Sequence, residues 1–167
     1  KSAKVGSFVK DLYEIEEDII FEIGLTPNRA DAMGHYGVAR DLLVALKYRG
    51  LISTETSLIQ QKQKINNANS IEVEIEIKNK KACPRYAGVV INNVKVSESP
   101  SWLKNRLEAI GLKSINNIVD VTNFVLHGLG QPLHAFDLDE IQGNKIIIQN
   151  LKKDTSFITL DEVKRSL

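Results

Sequence analysis

A single cysteine, Cys83, leaves the sequence without an internal disulfide and without the thiolates that a metal cluster would need. With Pro84 beside it, Cys83 reads as a strand-entry residue and not as a nucleophile. Net charge is nearly absent: 22 basic against 21 acidic residues leave +1. That balance argues against a dedicated nucleic-acid binder, whose affinity needs a concentrated basic patch, but it is compatible with RNA contact inside a larger assembly. No apolar run approaches the length of a membrane span. No signal peptide opens the chain, so the expected setting is cytoplasmic. Repeats and low-complexity tracts are missing, and no His/Cys/Asp/Glu spacing suits a metal site. The chain lacks a leading methionine and stops within a polar–apolar pattern, so both ends read as cuts in a longer protein.

What is present is an ordinary globular composition, 43% apolar over 167 residues, enough for one domain or two small ones. Asp18–Leu25 reads as a strand, Thr26-Pro27-Asn28-Arg29 as a turn, and Asp31–Tyr48 as a helix stopped by Gly50. Gly34 and Gly37 weaken that helix intrinsically and point to close packing against another backbone. The polar tract 53–70 is the best linker, which places a boundary near residue 70 and divides the chain into 1–70 and 71–167. Ile71–Ile77 alternates strictly, with Glu72, Glu74 and Glu76 on a wet face. A second strand is expected over Tyr86–Val96, with a bend at Asn92-Asn93. Ser99 as N-cap and Pro100 as first helical residue then open a helix that Gly111 closes. Gln142-Gly143-Asn144 is a turn, followed by strands at Lys145–Asn150 and Thr155–Leu160. Strands and helices come in runs, so the fold class is α+β: a small α/β N-terminal segment, then a partial mixed β-sheet domain with two packed helices.

The organising stretch is 111–137. Ile115, Ile118, Val119, Thr122, Val125, Leu126 and Leu129 recur mostly at helical steps and should be buried. Asn116, Asn117, Asp120 and Asn123 add a polar load that a plain core helix does not need. Gly128 and Gly130 end the helix, Pro132 forbids its continuation, and His134 follows. Histidine is the side chain best suited to move a proton near neutral pH, although a partly buried structural histidine is the commoner case. His35 and His127 read as local structure, Asp120 as a partner for Arg or Lys from a neighbouring strand, and Asp137 either as a brace for His134 or as a turn cap.

Several blocks carry a family resemblance. Leu25-Thr-Pro-Asn-Arg-Ala-Asp31 through Gly37-Val-Ala-Arg-Asp41 is similar to the Thr-Pro-Asn-Arg-x-Asp…Gly-x-Ala-Arg-Asp/Glu pattern of the bacterial phenylalanyl-tRNA synthetase beta chains. Cys83-Pro-Arg-Tyr-Ala-Gly88, Ser99-Pro-Ser-Trp-Leu103, Gly111–Asn123 and Gly130-Gln-Pro-Leu-His-Ala-Phe-Asp137 resemble the start of that family's editing domain, in the family's order along nearly the whole chain. The resemblance implies that 1–70 is the later part of the first core domain and 71–167 the first part of the editing domain, which hydrolyses tyrosine wrongly attached to phenylalanine tRNA. It implies an alpha-chain partner that carries aminoacylation, phenylalanine tRNA as a further partner, an alpha2-beta2 heterotetramer without membrane association, and ATP and Mg for the full synthetase, with no cofactor in this stretch itself.

Residue by residue, His134 stands at the family's editing-site histidine, where it would orient a water or contact the terminal adenosine of the tRNA. Lys113 stands where relatives often carry arginine; lysine keeps the charge but loses the bidentate fork. Asn117 and Asn123 either line the pocket or tie loops to the helix. The family's editing glutamate and its amino-acid-fitting threonine and alanine lie beyond Leu167, so by the resemblance about half of the pocket is here and the stretch alone is expected to be inactive. The alternative is a non-catalytic structural or subunit-contact module.

Overall fold

A computed structural model of the chain describes residues 4–13, 18–58, 72–159 and 162–166. Among them the architecture is α+β. The helices are α1 (Val9–Tyr13), α2 (His35–Tyr48), α3 (Ser101–Ala109) and α4 (Asn117–Leu129); the strands are β1 (Glu74–Ile77), β2 (Lys145–Ile148), β3 (Ser156–Ile158) and β4 (Lys164–Ser166). The chain divides into two compact units, Lys1–Gln61 with Val96–Ala135, and Lys62–Lys95 with Phe136–Leu167. The expected boundary near residue 70 and most of the expected linker lie outside the described residues.

The first unit is helical. Its N-terminal motif folds as one cassette. Pro27 and Asn28 form the expected turn, closed by Arg29 N–H donating to Thr26 O (2.9 Å) and by the Thr26 hydroxyl donating to Asn28 Oδ1 (2.6 Å). Arg29 then grips Asp31 with both arms of its fork (3.1 and 3.2 Å) and also reaches Asp41, while Arg40 bonds Asp31. Arg29 is thereby held above its usual pKa, chiefly by its hydrogen bonds to Asp31 and Asp41, and Asp31 is held below the ordinary carboxylate value, chiefly by Arg29.

The expected single helix over 31–48 is in fact a short 3-10 turn, Ala30–Ala32, followed by α2 from His35. Gly34 is extended (φ −118°, ψ 162°) and breaks the run as N-cap. The close backbone approach expected of the two glycines is present. A Cβ on Gly37 would lie 2.0 Å from Asp31 O, and one on Gly34 would lie 2.7 Å from Gly130 N at the end of α4. At the far end of α2, Gly50 takes φ +67° and Leu51 N–H reaches back to Leu46 O (3.0 Å), a Schellman stop.

Helix α3 ends the same way, with Gly111 at φ +83° and Leu112 N–H donating to Leu107 O. Its start differs from expectation by one residue: Pro100 is the N-cap, and Ser99 is buried and bonded elsewhere. Leu103 and Leu107, each 1% exposed, and Ala32, 3% exposed, are the buried hydrophobic side chains among the described residues. Trp102 meets Phe124 of α4 edge-on at 5.5 Å.

Two expected strands do not form. Asp18–Leu25 and Tyr86–Val96 have no ladder partner among the described residues, and a run of strand-forming residues cannot make a strand without one. The expected bend does occur at Asn93, which takes φ +58°.

The second unit holds two small sheets. β1 pairs with β2 in parallel, Glu74 opposite Lys145 and Ile77 opposite Ile148. Parallel partners need a long intervening connection, and here the chain passes through α3 and α4 between them. Glu74 and Glu76 both take the Lys145 ammonium (2.8 and 2.9 Å). The expected wet glutamate face is therefore partly an ion-paired one, with the Lys145 pKa raised and the Glu76 pKa lowered by that pairing. Ile71 lies outside the described residues. The turn at 142–144 is present, with Gly143 and Asn144 both at positive φ. β3 pairs antiparallel with β4, a final strand that the sequence reading did not anticipate.

Candidate functional site

Helix α4 and the loop that feeds it are joined by a dense set of hydrogen bonds. Asn116 is the N-cap, its side-chain oxygen accepting from Ile118 N–H and Val119 N–H at 3.0 Å each. Asn117 and Ser97 bond reciprocally: Asn117 N–H donates to Ser97 O (2.9 Å), and Ser97 N–H donates to Asn117 Oδ1 (3.0 Å). Structural hydrogen bonding by these amides is thus present. The helix ends at Gly130, which is left-handed (φ +75°) and donates to Leu126 O.

Asp120 is the buried residue of α4, with no exposed surface. One carboxylate oxygen accepts from the Ser99 and Ser114 hydroxyls, and the other from Ile115 N–H at 3.0 Å. Burial pushes its pKa up, but the Ser114 and Ser99 hydroxyls, the Ile115 amide and the charge of Lys104 together outweigh it and hold the carboxyl below its ordinary value. This corrects the expected partner. Asp120 is held by two serines and an amide from adjoining loops, with a lysine of α3 contributing charge, and not by a cation from a strand. A carboxylate in the first turn of a helix also faces the positive end of the dipole.

The apolar stripe of α4 is much less buried than its periodicity predicts. Ile115, just before the helix, is 66% exposed, Leu129 is 64% exposed, and the rest are half-buried or at the edge of exposure. Helices α2 and α3 lie against α4, and much of the stripe is still left half-buried or exposed.

The four candidate site residues fall on or beside this helix, all within the first unit. Lys113 is exposed in the loop between Gly111 and Asn116. Asn117 and Asn123 are half-buried on α4, about 9 Å apart along its axis and about 120° apart around it. His134 is exposed in the irregular segment after Gly130. Lys113 therefore precedes, and His134 follows, a helix about 18 Å long. Asp137, in the second unit, caps the 3-10 turn Leu138–Glu140 by accepting from Asp139 N–H (3.1 Å), so of its two readings the turn cap is present.

Sequence reasoning missed three features. His35 opens α2 and donates from Nδ1 to His127 O (2.8 Å), tying α2 to α4; that contact supports its structural reading, but the partner was not legible. A cleft of about 270 Å³ opens beside it, with Arg106, Phe124 and His127 in its wall. None of Lys113, Asn117, Asn123 or His134 lines that cleft. The third is the burial of Asp120, for which the signal was a lone carboxylate set within an otherwise apolar run.

Residues 82–167 match the B3/4 domain family. The chain is 47% identical over 162 residues to the phenylalanine–tRNA ligase beta subunit of Bacteroides thetaiotaomicron, covering 97% of this chain and 20% of that protein. It is 48% identical over 165 residues to the corresponding subunit of Porphyromonas gingivalis (99% and 20%) and 44% identical over 167 residues to that of Fusobacterium nucleatum (100% and 20%). The chain spans about a fifth of the length of these relatives.

Proposed function

This chain belongs to the B3/4 domain family, and on that premise we propose that it forms part of a phenylalanine–tRNA ligase beta subunit and contributes to hydrolytic editing of tyrosine mischarged onto phenylalanine tRNA. The observation that carries the reading is the match to such subunits along nearly the entire chain, with the Gln-Pro-Leu-His134-Ala-Phe-Asp block and the Gly111–Asn123 block both inside it.

The chemistry has a physical motive. An apolar pocket shaped for phenylalanine rejects an added hydroxyl poorly, on the order of a hundredfold in comparable cases. A second site that hydrogen-bonds the phenol oxygen reverses the preference, because phenylalanine would leave its polar groups unpaired. In that site water adds to the ester carbonyl, the bond to the terminal ribose oxygen breaks, and that leaving oxygen takes up the proton the water gives up to become the ribose hydroxyl. His134 orients the water or contacts the terminal adenosine. Lys113 meets a phosphate of the tRNA end as a point charge. Asn123 and Asn117 complete this half of the pocket. By the family resemblance a later part of the editing domain supplies the remaining carboxylate, and on this reading the present stretch alone is inactive. The working assembly includes the alpha chain, phenylalanine tRNA and an alpha2-beta2 arrangement in the cytoplasm. ATP and Mg²⁺ belong to aminoacylation on the alpha chain. The described residues here offer no cluster of three or more His, Cys, Asp or Glu to hold a metal, and no editing step is routed through either. No described helix is long and apolar enough to cross a membrane.

The test is deacylation of tyrosyl-tRNA specific for phenylalanine by this chain, by a version extended through the whole editing domain, and by the full synthetase with and without His134→Ala. The expected outcome is hydrolysis by the longer forms only, with His134→Ala folded but impaired. Unchanged hydrolysis by His134→Ala in the full synthetase would refute its role. A second reading, a subunit-contact module, is favoured by the exposed apolar residues Leu42, Val44 and Tyr48 of α2. Folded longer forms that never hydrolyse the ester, with or without the alpha chain, would favour it.

A further inference from the structure

We propose that Asp120 is the positioning residue for Lys113, an inference that rests on the editing reading above. The loop from Gly111 to Asn116 carries Lys113 and has no ladder or helix of its own. The two residues that follow Lys113 are both fastened to one buried carboxylate: Ser114 through its hydroxyl and Ile115 through its amide. Ser99, in the lead-in to α3, donates to the same oxygen as Ser114, so the loop is pinned against a second segment as well. Asp120 is itself fixed in the first turn of α4, its N–H donating to Asn116 O at 2.9 Å. The Lys113 backbone is thereby set relative to the helix that carries Asn117 and Asn123.

The need for such a brace follows from the residue at 113. An arginine fork is planar and pre-organised toward phosphate, whereas a lysine ammonium ends a flexible four-carbon stem and brings no directionality of its own. With lysine, the accuracy of the contact must come from where the backbone starts. A carboxylate suits that task better than a neutral group. It accepts from three donors at once without competing for their protons, and its charge makes each of those bonds stronger than a neutral one.

The experiment uses the full synthetase with its alpha chain and compares Asp120→Asn, Ser114→Ala, Lys113→Ala and the double variant Asp120→Asn/Lys113→Ala. Tyrosyl-tRNA hydrolysis is measured as separate kcat and KM, with phenylalanine aminoacylation as the control for an intact fold. Asp120→Asn keeps the shape of the side chain and is expected to raise KM for editing on the order of tenfold, with kcat changed by less than about twofold and aminoacylation unchanged. Ser114→Ala, which keeps the carboxylate, is expected to raise KM less, in the same direction. In the Lys113→Ala background Asp120→Asn is expected to add nothing, because the two act through one contact. Trypsin cleavage after Lys113 in the tRNA-free synthetase is expected to quicken in Asp120→Asn. A wild-type KM for both Asp120→Asn and Ser114→Ala, or full additivity with Lys113→Ala, would overturn the inference while leaving editing in place. A wild-type synthetase that does not hydrolyse tyrosyl-tRNA would overturn the editing reading and this inference with it.

Discussion

Two helical glycines, Gly37 in α2 and Gly128 in α4, look the same to helix propensity, yet alanine at each should move stability in opposite directions. Propensity alone credits each substitution with about 1 kcal/mol. At Gly128 the new methyl meets no atom within 4 Å, so the gain stands, up to about 1 kcal/mol. At Gly37 the methyl would lie 2.0 Å from Asp31 O, 2.7 Å from Ala32 Cα and 2.9 Å from Asp31 C. All three are backbone atoms, so no side chain can swing aside, and the 3-10 turn Ala30–Ala32 must lift off the helix by more than an ångström. That turn carries Ala32, one of three buried hydrophobic side chains among the described residues, and Asp31, the carboxylate that Arg29 and Arg40 share. Overpacking of this kind costs about 1–3 kcal/mol, and loosening the turn adds to it. Set against the propensity gain, the net loss for Gly37→Ala is about 2 kcal/mol. At about 2–4 °C per kcal/mol for a chain of this size, Tm falls by about 4–8 °C for Gly37→Ala and rises by up to about 4 °C for Gly128→Ala. Thermal unfolding followed by far-UV circular dichroism measures both. A Gly37→Ala chain as stable as wild type would refute the steric argument, and a destabilised Gly128→Ala would refute the claim that open space decides the sign.

The hydrogen bonds that Asp120 accepts outweigh its burial and make stability depend on pH at the acid end. Its folded pKa is depressed, so the stabilisation is fully present above the unfolded value of about 4 and is lost as pH falls from there through the folded pKa. Urea midpoints measured between neutral pH and acid should show that slope in wild type and a flatter one in Asp120→Asn. Asn116→Ala removes an N-cap that accepts two amides and should cost about 1 kcal/mol, read as a lower urea midpoint at unchanged slope. Gly111→Ala forces a side chain to φ +83° at the end of α3 and should cost about 1–2 kcal/mol in the same assay. No change in either variant would mean that the cap in question contributes nothing.

Legibility in the sequence followed the range of the interaction. Helix stops were readable because they are local: Gly50, Gly111 and Gly130 each sit at positive φ where the apolar run ends. The turn at Thr26–Arg29 and the bend at Asn93 were readable for the same reason. Strands were readable only where a partner turned out to exist. Glu74–Ile77 finds β2, while the more apolar Asp18–Leu25 finds no ladder partner among the described residues, and local composition is blind to that difference. Burial on α4 was misread for a related reason. Periodicity shows which face of a helix is able to bury, not what covers it, and the fully buried residue proved to be the carboxylate inside the stripe. The N-terminal motif was recognised as a pattern, but its content is physical. Its two arginines and two aspartates bond one another, and Gly37 within it must lack a Cβ, so the pattern encodes a packing arrangement.

The same logic sorts the polar load around α4 into two kinds of residue. Asn116, Asn117 and Asp120 stand in or beside the first turn; Asn116 directs its side-chain oxygen at amides of that turn, while Asn117 and Asp120 direct theirs at the loop amides of Ser97 and Ile115. A ligand seeking the Asn117 oxygen would first have to release the Ser97 amide, an exposed donor that water can then satisfy. Asn123 lies further along the helix, and Lys113 and His134 are exposed at its two ends. Chemistry on a bound ester needs groups that are accessible yet held in place. The first turn of α4 supplies the holding and the two flanking segments supply the access. On this division the first turn of α4, with the buried Asp120 in it, sets where the exposed loop residues start, which is why Asp120, and not only His134, is the residue to change.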